Sequence, residues 1–98
     1  MIEYLKEYGI SNFDYLYLQK NLNPEDIQRL MLAESNVREN LLYFNKLGLK
    51  ENLHKLILYR LDLVIMPLDQ LKYLLSKIDK ELFVQLVNTN IKNLILLF

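Results

Sequence analysis

The chain has 98 residues, 52% of them apolar and 24% charged, with no cysteine and a formal net charge of zero. Such proportions belong to a folded globular domain and exclude a disordered chain. The missing cysteines exclude a disulfide framework, thiolate-ligated zinc and thiol catalysis. The neutral total hides a gradient, because residues 1–42 carry four Lys/Arg against seven Asp/Glu and residues 43–98 carry eight against five, about −3 and +3. That is not the footprint of a strong phosphate binder, which shows a clear basic excess.

A single helical domain over 1–98 is expected, since two separate cores would each be too small to stand alone. Two glycines and two prolines punctuate the chain. "IEYLKEY" runs into Gly9, which can take the left-handed conformation that closes a helix, and predicts a helix over 2–8. Ser11 with Asp14 three residues on has the form of a capping box and opens a helix over 12–21. Asn23, Pro24, Glu25 and Asp26 make a full N-terminal signature for a helix over 24–34: a capping side chain, a proline at the first position and acids at the positive end of the dipole. Ser35 is a candidate cap for 36–47, which Gly48 ends. Further helices are expected over 50–60, over 67–78 opened by Pro67 with Asp69 in the first turn, over 80–88 capped by Asp79, and over 90–97.

Apolar residues within these segments recur at helical spacing. Ile27, Leu30 and Met31 share one face; Val37, Leu41 and Phe44, then Leu53, Leu56 and Ile57, then Leu68, Leu71, Leu75 and Ile78 share others. "LDLVIMP" (61–67) is the one stretch with strand character, and it has no second β-rich run to pair with. The sequence therefore predicts an all-α fold of about eight short helices.

An internal repeat supports the same class. An offset of 30 residues pairs Tyr43 with Tyr73, Lys50 with Lys80, Glu51 with Glu81, Leu56 with Leu86 and Ile65 with Ile95, with one residue inserted near Gly48. It also sets apolar against apolar at Leu53/Phe83, Ile57/Val87, Leu61/Ile91 and Val64/Leu94. An offset of 39 pairs "YLKEYGI" (4–10) with "YFNKLGL" (43–49). Two to three degenerate helix-pair units in one compact domain are expected. "YFNKLGLKENLHKLILYRLDLV" (43–64) resembles the mitochondrial transcription termination factor repeat: a helix ending in Leu-Gly-Ile/Leu, a second helix ending in a basic residue, then Pro-x-Leu-Leu. The likeness is best over 36–78 and weaker over 80–96, and Leu61 stands where that pattern has its proline. The resemblance implies a curved stack whose concave face carries basic residues for double-stranded nucleic acid. In this chain Lys46, Lys50, Arg60, Lys77, Lys80 and Lys92 are the residues that could supply it.

Candidate chemistry is sparse. His54 is the sole histidine, so a two-histidine metal site is impossible, and its place on an amphipathic helix beside Glu51 and Lys55 marks it as a surface or boundary residue. Glu25 and Asp26 in a first helical turn are accounted for by the helix dipole, so no metal or other cofactor is expected. Neither glycine belongs to a glycine-rich phosphate loop. Tyr4, Tyr8, Tyr15 and Tyr17 crowd the first two helices, either as a stacking platform or as packing at the N-terminal end of the core; sparse basic residues around them favour packing. "NLILLF" closes the sequence on five apolar residues where a terminal repeat normally turns a polar face to water. Either this segment lies in the core, or it meets a second copy or a partner, or the natural chain continues past Phe98.

No membrane-spanning run and no signal peptide are visible, so a cytoplasmic location is expected. The expected function is a non-enzymatic helical interaction module that works through a protein–protein or self-association surface, anchored by Tyr15, Tyr17, Leu94, Leu97 and Phe98. The alternative is nucleic-acid binding through the six basic residues named above.

Overall fold

The computed structural model describes residues 2–49, 51–89 and 91. Among these all regular secondary structure is helical and there is no strand. A 3-10 helix, Glu3–Tyr8, precedes α1 (Asn12–Asn21), α2 (Pro24–Leu32), α3 (Glu34–Lys46), α4 (Leu53–Tyr59), α5 (Leu61–Ile65), α6 (Leu68–Leu75) and α7 (Lys80–Thr89). No helix among the described residues is long and apolar enough to cross a membrane.

The helix ends follow local side-chain chemistry. Gly9 (φ 92°) and Gly48 (φ 102°) both take the left-handed conformation, the first closing the 3-10 helix and the second following α3. Ser11 Oγ accepts the Asp14 backbone N–H at 3.1 Å, Asn23 Oδ1 accepts that of Asp26 at 2.8 Å, and Asp79 Oδ1 accepts that of Glu81 at 2.8 Å. Pro24 occupies the first turn of α2, and Pro67 sits one residue ahead of α6 as its N-cap.

The structure departs from the sequence reading at several points, and α4 and α6 are shorter than the expected 50–60 and 67–78. The α2/α3 junction falls at Ala33, not at Ser35: the Ala33 N–H closes α2 on the Arg29 carbonyl and the Ala33 carbonyl opens α3 by accepting from Val37, each at 2.9 Å. Ser35 lies inside α3 and caps nothing. Residues 61–65, left without helix by the sequence reading, form α5. Met31, assigned to the buried face of α2, is exposed, while Leu30 is fully buried and Ile27 is half-buried. The helix expected over 90–97 lies outside the described residues apart from Ile91.

At the centre stands α3, which packs against the 3-10 helix, α2, α5 and α6; α4 packs against α1 and α5. Val37, Leu41 and Phe44 point from α3 into the core with no exposure, and Phe44 stacks on Phe83 of α7 with ring centroids 6.1 Å apart. Polar side chains of α3 also reach the ends of its neighbours. The amide nitrogen of Asn45 donates to the Tyr8 carbonyl at 3.0 Å, that of Asn36 to the Ile65 carbonyl at 3.2 Å, and that of Asn40 to Val64 at 2.8 Å and Met66 at 2.6 Å. The Tyr8, Val64 and Ile65 carbonyls stand at the ends of short helices and the Met66 carbonyl just past one, so asparagine side chains supply what helix geometry cannot. The 3-10 helix is tied down further by the buried Tyr4 hydroxyl, which donates to the Leu30 carbonyl at 2.6 Å. Burial pushes the Tyr4 phenol well above its ordinary range.

Candidate functional site: an aromatic hollow between α1 and α4

Helix α1, "NFDYLYLQKN", is apolar on more than one side. Tyr15 and Leu18 share the face turned inward and are buried at 3% and 0% exposure. The same geometry forces Phe13, Leu16 and Tyr17 away from the core, where they are 79%, 62% and 44% exposed. Apolar side chains on an outward side of a helix call for cover, and among the described residues Phe13, Leu16 and Tyr17 remain exposed. Tyr59 on α4 is likewise 54% exposed.

Phe13 and Tyr17, one turn apart on α1, face Leu58 and Tyr59 of α4 across a hollow of about 170 Å³. Asp14, His54 and Lys55 complete the lining. Half of the expected capping box is present here: Ser11 takes the Asp14 backbone N–H, and the Asp14 carboxylate turns to α4, where its Oδ2 lies 3.3 Å from His54 Nδ1. The His54 ring stands nearly perpendicular to that of Tyr17, with centroids 6.3 Å apart. His54 is thus the boundary residue read from sequence. Burial, helped by the Lys55 charge and opposed by Asp14, lowers its pKa below the ordinary 6.5. A carboxylate holding an imidazole is the base-and-orienter half of a nucleophilic site, but no serine or threonine lines the hollow.

Of the residues expected to anchor an interface, Tyr17 stands at this hollow. Tyr15 does not present a surface: its ring is buried, its hydroxyl accepts from the Gln19 amide at 3.1 Å, and Lys6 covers the ring at 4.5 Å. Leu94, Leu97 and Phe98 lie outside the described residues. Phe13 and Tyr59 were missed by the sequence reading. The signal for Phe13 was the absence of a one-sided apolar stripe in 12–21.

The basic residues considered for nucleic acid sit in mixed surroundings. Lys46 lines a hollow of about 120 Å³ together with Lys72 and Glu39. Arg60 forms two hydrogen bonds with Asp62, at 3.1 and 2.9 Å, which hold the Asp62 carboxyl below its usual range. Lys77 lies over the Tyr73 ring at 4.4 Å, and Lys80 lines a hollow with Glu81. Lys50 and Lys92 lie outside the described residues. No group of three or more histidine, aspartate and glutamate side chains among the described residues could hold a metal ion. In comparisons with known proteins, no family model, no curated protein and no solved structure matches the chain.

Proposed function

We propose that this chain is a non-enzymatic interaction module that docks a partner protein on the face between α1 and α4. The observation that carries this reading is that Phe13, Leu16 and Tyr17 of α1 and Tyr59 of α4 are all exposed on the helix pair that encloses the hollow. Large aromatic side chains around a concavity are the usual anchors of a protein interface, because they desolvate much area at small cost in side-chain entropy. The two helix-pair units read from the 30-residue offset would supply the rigid body behind that face. In support, the matched positions Leu53 and Phe83, and Ile57 and Val87, all lie in the core.

The test is comparative capture on immobilised wild-type chain and on Phe13→Ser and Tyr17→Ser variants, with light scattering of the free chain alongside. A partner held by the wild type and released by both variants supports the reading. If the variants bring down the same proteins as the wild type, the face is not the docking surface. A dimer dissolved by the same variants would identify the partner as a second copy.

A further inference from the structure

From the pattern of cations over tyrosine rings, we infer that the hollow between α1 and α4 receives a cationic side chain, arginine or lysine, presented by the docked protein. The inference rests on the docking reading above and adds the chemistry of what enters.

The chain repeatedly places its own cations on its own tyrosines. Lys6 lies over Tyr15 at 4.5 Å, Arg38 over Tyr4 at 5.1 Å, Lys72 over Tyr43 at 5.6 Å and Lys77 over Tyr73 at 4.4 Å. Among the described residues, Tyr8, Tyr17 and Tyr59 carry no such cation; Arg38 meets Tyr8 at its hydroxyl instead, and Tyr17 and Tyr59 line one hollow from two different helices. An aromatic ring carries a negative face to which a cation is drawn, and Phe13 is a third ring in the lining. Beside them is the Asp14 carboxylate, which meets only a half-buried imidazole at 3.3 Å. Burial lowers the pKa of His54, which disfavours a second positive charge on the imidazole beside that carboxylate. Lys55, also in the lining, opposes a cation and sets the limit on affinity.

Size points to a side chain. The hollow holds about 170 Å³, whereas sites for drug-sized metabolites start at roughly 300 Å³. A guanidinium or ammonium head with its apolar stem can meet both the rings and the Asp14 carboxylate, whereas a purely apolar group would leave that carboxylate to the His54 imidazole.

The experiment is an NMR titration of the full chain with a short capped peptide carrying one arginine between glycines, and with the same peptide carrying neutral citrulline. The arginine peptide should shift the resonances of Tyr17, His54 and Tyr59, and the citrulline peptide should not. Tyr17→Leu should weaken binding about two- to fivefold and Tyr17→Phe should restore it, since the ring face and not the hydroxyl is used. Asp14→Asn should weaken it about fivefold, and Lys55→Gln should strengthen it. Equal binding of both peptides, or indifference to both Asp14→Asn and Lys55→Gln in variants whose spectra show the native fold, overturns the inference. Failure of the docking reading looks different: a partner then stays bound to the Phe13→Ser variant. If the partner is released by Phe13→Ser yet unaffected by Asp14→Asn, the docking face stands and the cationic occupant is refuted.

Discussion

The side-chain amide of Asn40 in α3 donates to the main-chain carbonyl of Val64 in α5 at 2.8 Å, across 24 positions of sequence and with no exposure of Asn40. The same nitrogen lies 2.6 Å from the Met66 carbonyl and 3.4 Å from that of Leu63. Helix α5 has only five residues, so most of its carbonyls have no partner within it. Asn40 therefore serves as the C-terminal cap of another helix. Asn40→Leu should cost about 2–4 kcal/mol, because it leaves buried carbonyls without a donor. Asn36→Ala removes one partly buried bond and should cost no more than about 1 kcal/mol. Urea unfolding of the two variants beside the wild type gives both numbers; equal, small losses would show that α5 holds itself together.

Gly48 separates backbone conformation from packing. Its φ is +102°, and a Cβ built there would meet nothing within 4 Å. Gly48→Ala should thus cost about 1–2 kcal/mol from left-handed backbone strain alone, and Gly48→Asn less. A larger loss, read as a lowered denaturation midpoint, would mean that the turn after α3 cannot be held at all without glycine.

These two positions also show what the sequence made legible. Gly9, Ser11, Asn23, Pro24, Gly48 and Asp79 act within a few residues of themselves, so their chemistry could be read locally and the structure places helix ends beside each. The 61–65 segment could not be read that way. Leu63 and Val64 are fully buried, and a short apolar run looks alike as strand or buried helix; what decides is a distant pair of asparagines on α3. Ser35 misled because Ala33 can end one helix and begin the next through backbone bonds alone. At the candidate site, Tyr15 and Tyr17 looked equivalent in sequence. They point about 160° apart on the wheel of α1, and only the position of the 3-10 helix and α4 settles which one is buried. The Asp14–His54 contact joins residues 40 positions apart, and no spacing rule reaches that far.

Core truncations should separate the leucines sharply. Leu56 and Leu71 have no exposure while Leu32 is 81% exposed. Leu56→Ala and Leu71→Ala should each cost roughly 2–5 kcal/mol, and Leu32→Ala should fall within about 0.5 kcal/mol of zero. Phe83→Ala, which empties a fully buried site and removes the stack on Phe44, should cost about 3–5 kcal/mol. A series of denaturation midpoints in which Leu32 ranks with Leu56 would show the helix faces to be turned differently.

His54 should make the fold sensitive to mild acid. Its folded pKa lies below the ordinary 6.5, first because burial penalises the imidazolium and then because Lys55 repels it, with Asp14 pulling the other way. The unfolded chain, free of that burial, takes up its proton near 6.5. Between the two values the unfolded state binds more protons than the folded one, so stability rises with pH across that window. The contribution is fully present above 6.5, declines as pH falls through it, and is gone below the folded value. His54→Gln removes the titration, so the stability difference between wild type and variant should shrink on going from pH 7.5 to 5.5, above the range where carboxylates dominate. If the wild type instead gains on the variant as the pH drops, attraction to Asp14 outweighs burial. His54 would then be a cation in the folded state, and the carboxylate offered to an incoming arginine would already be neutralised.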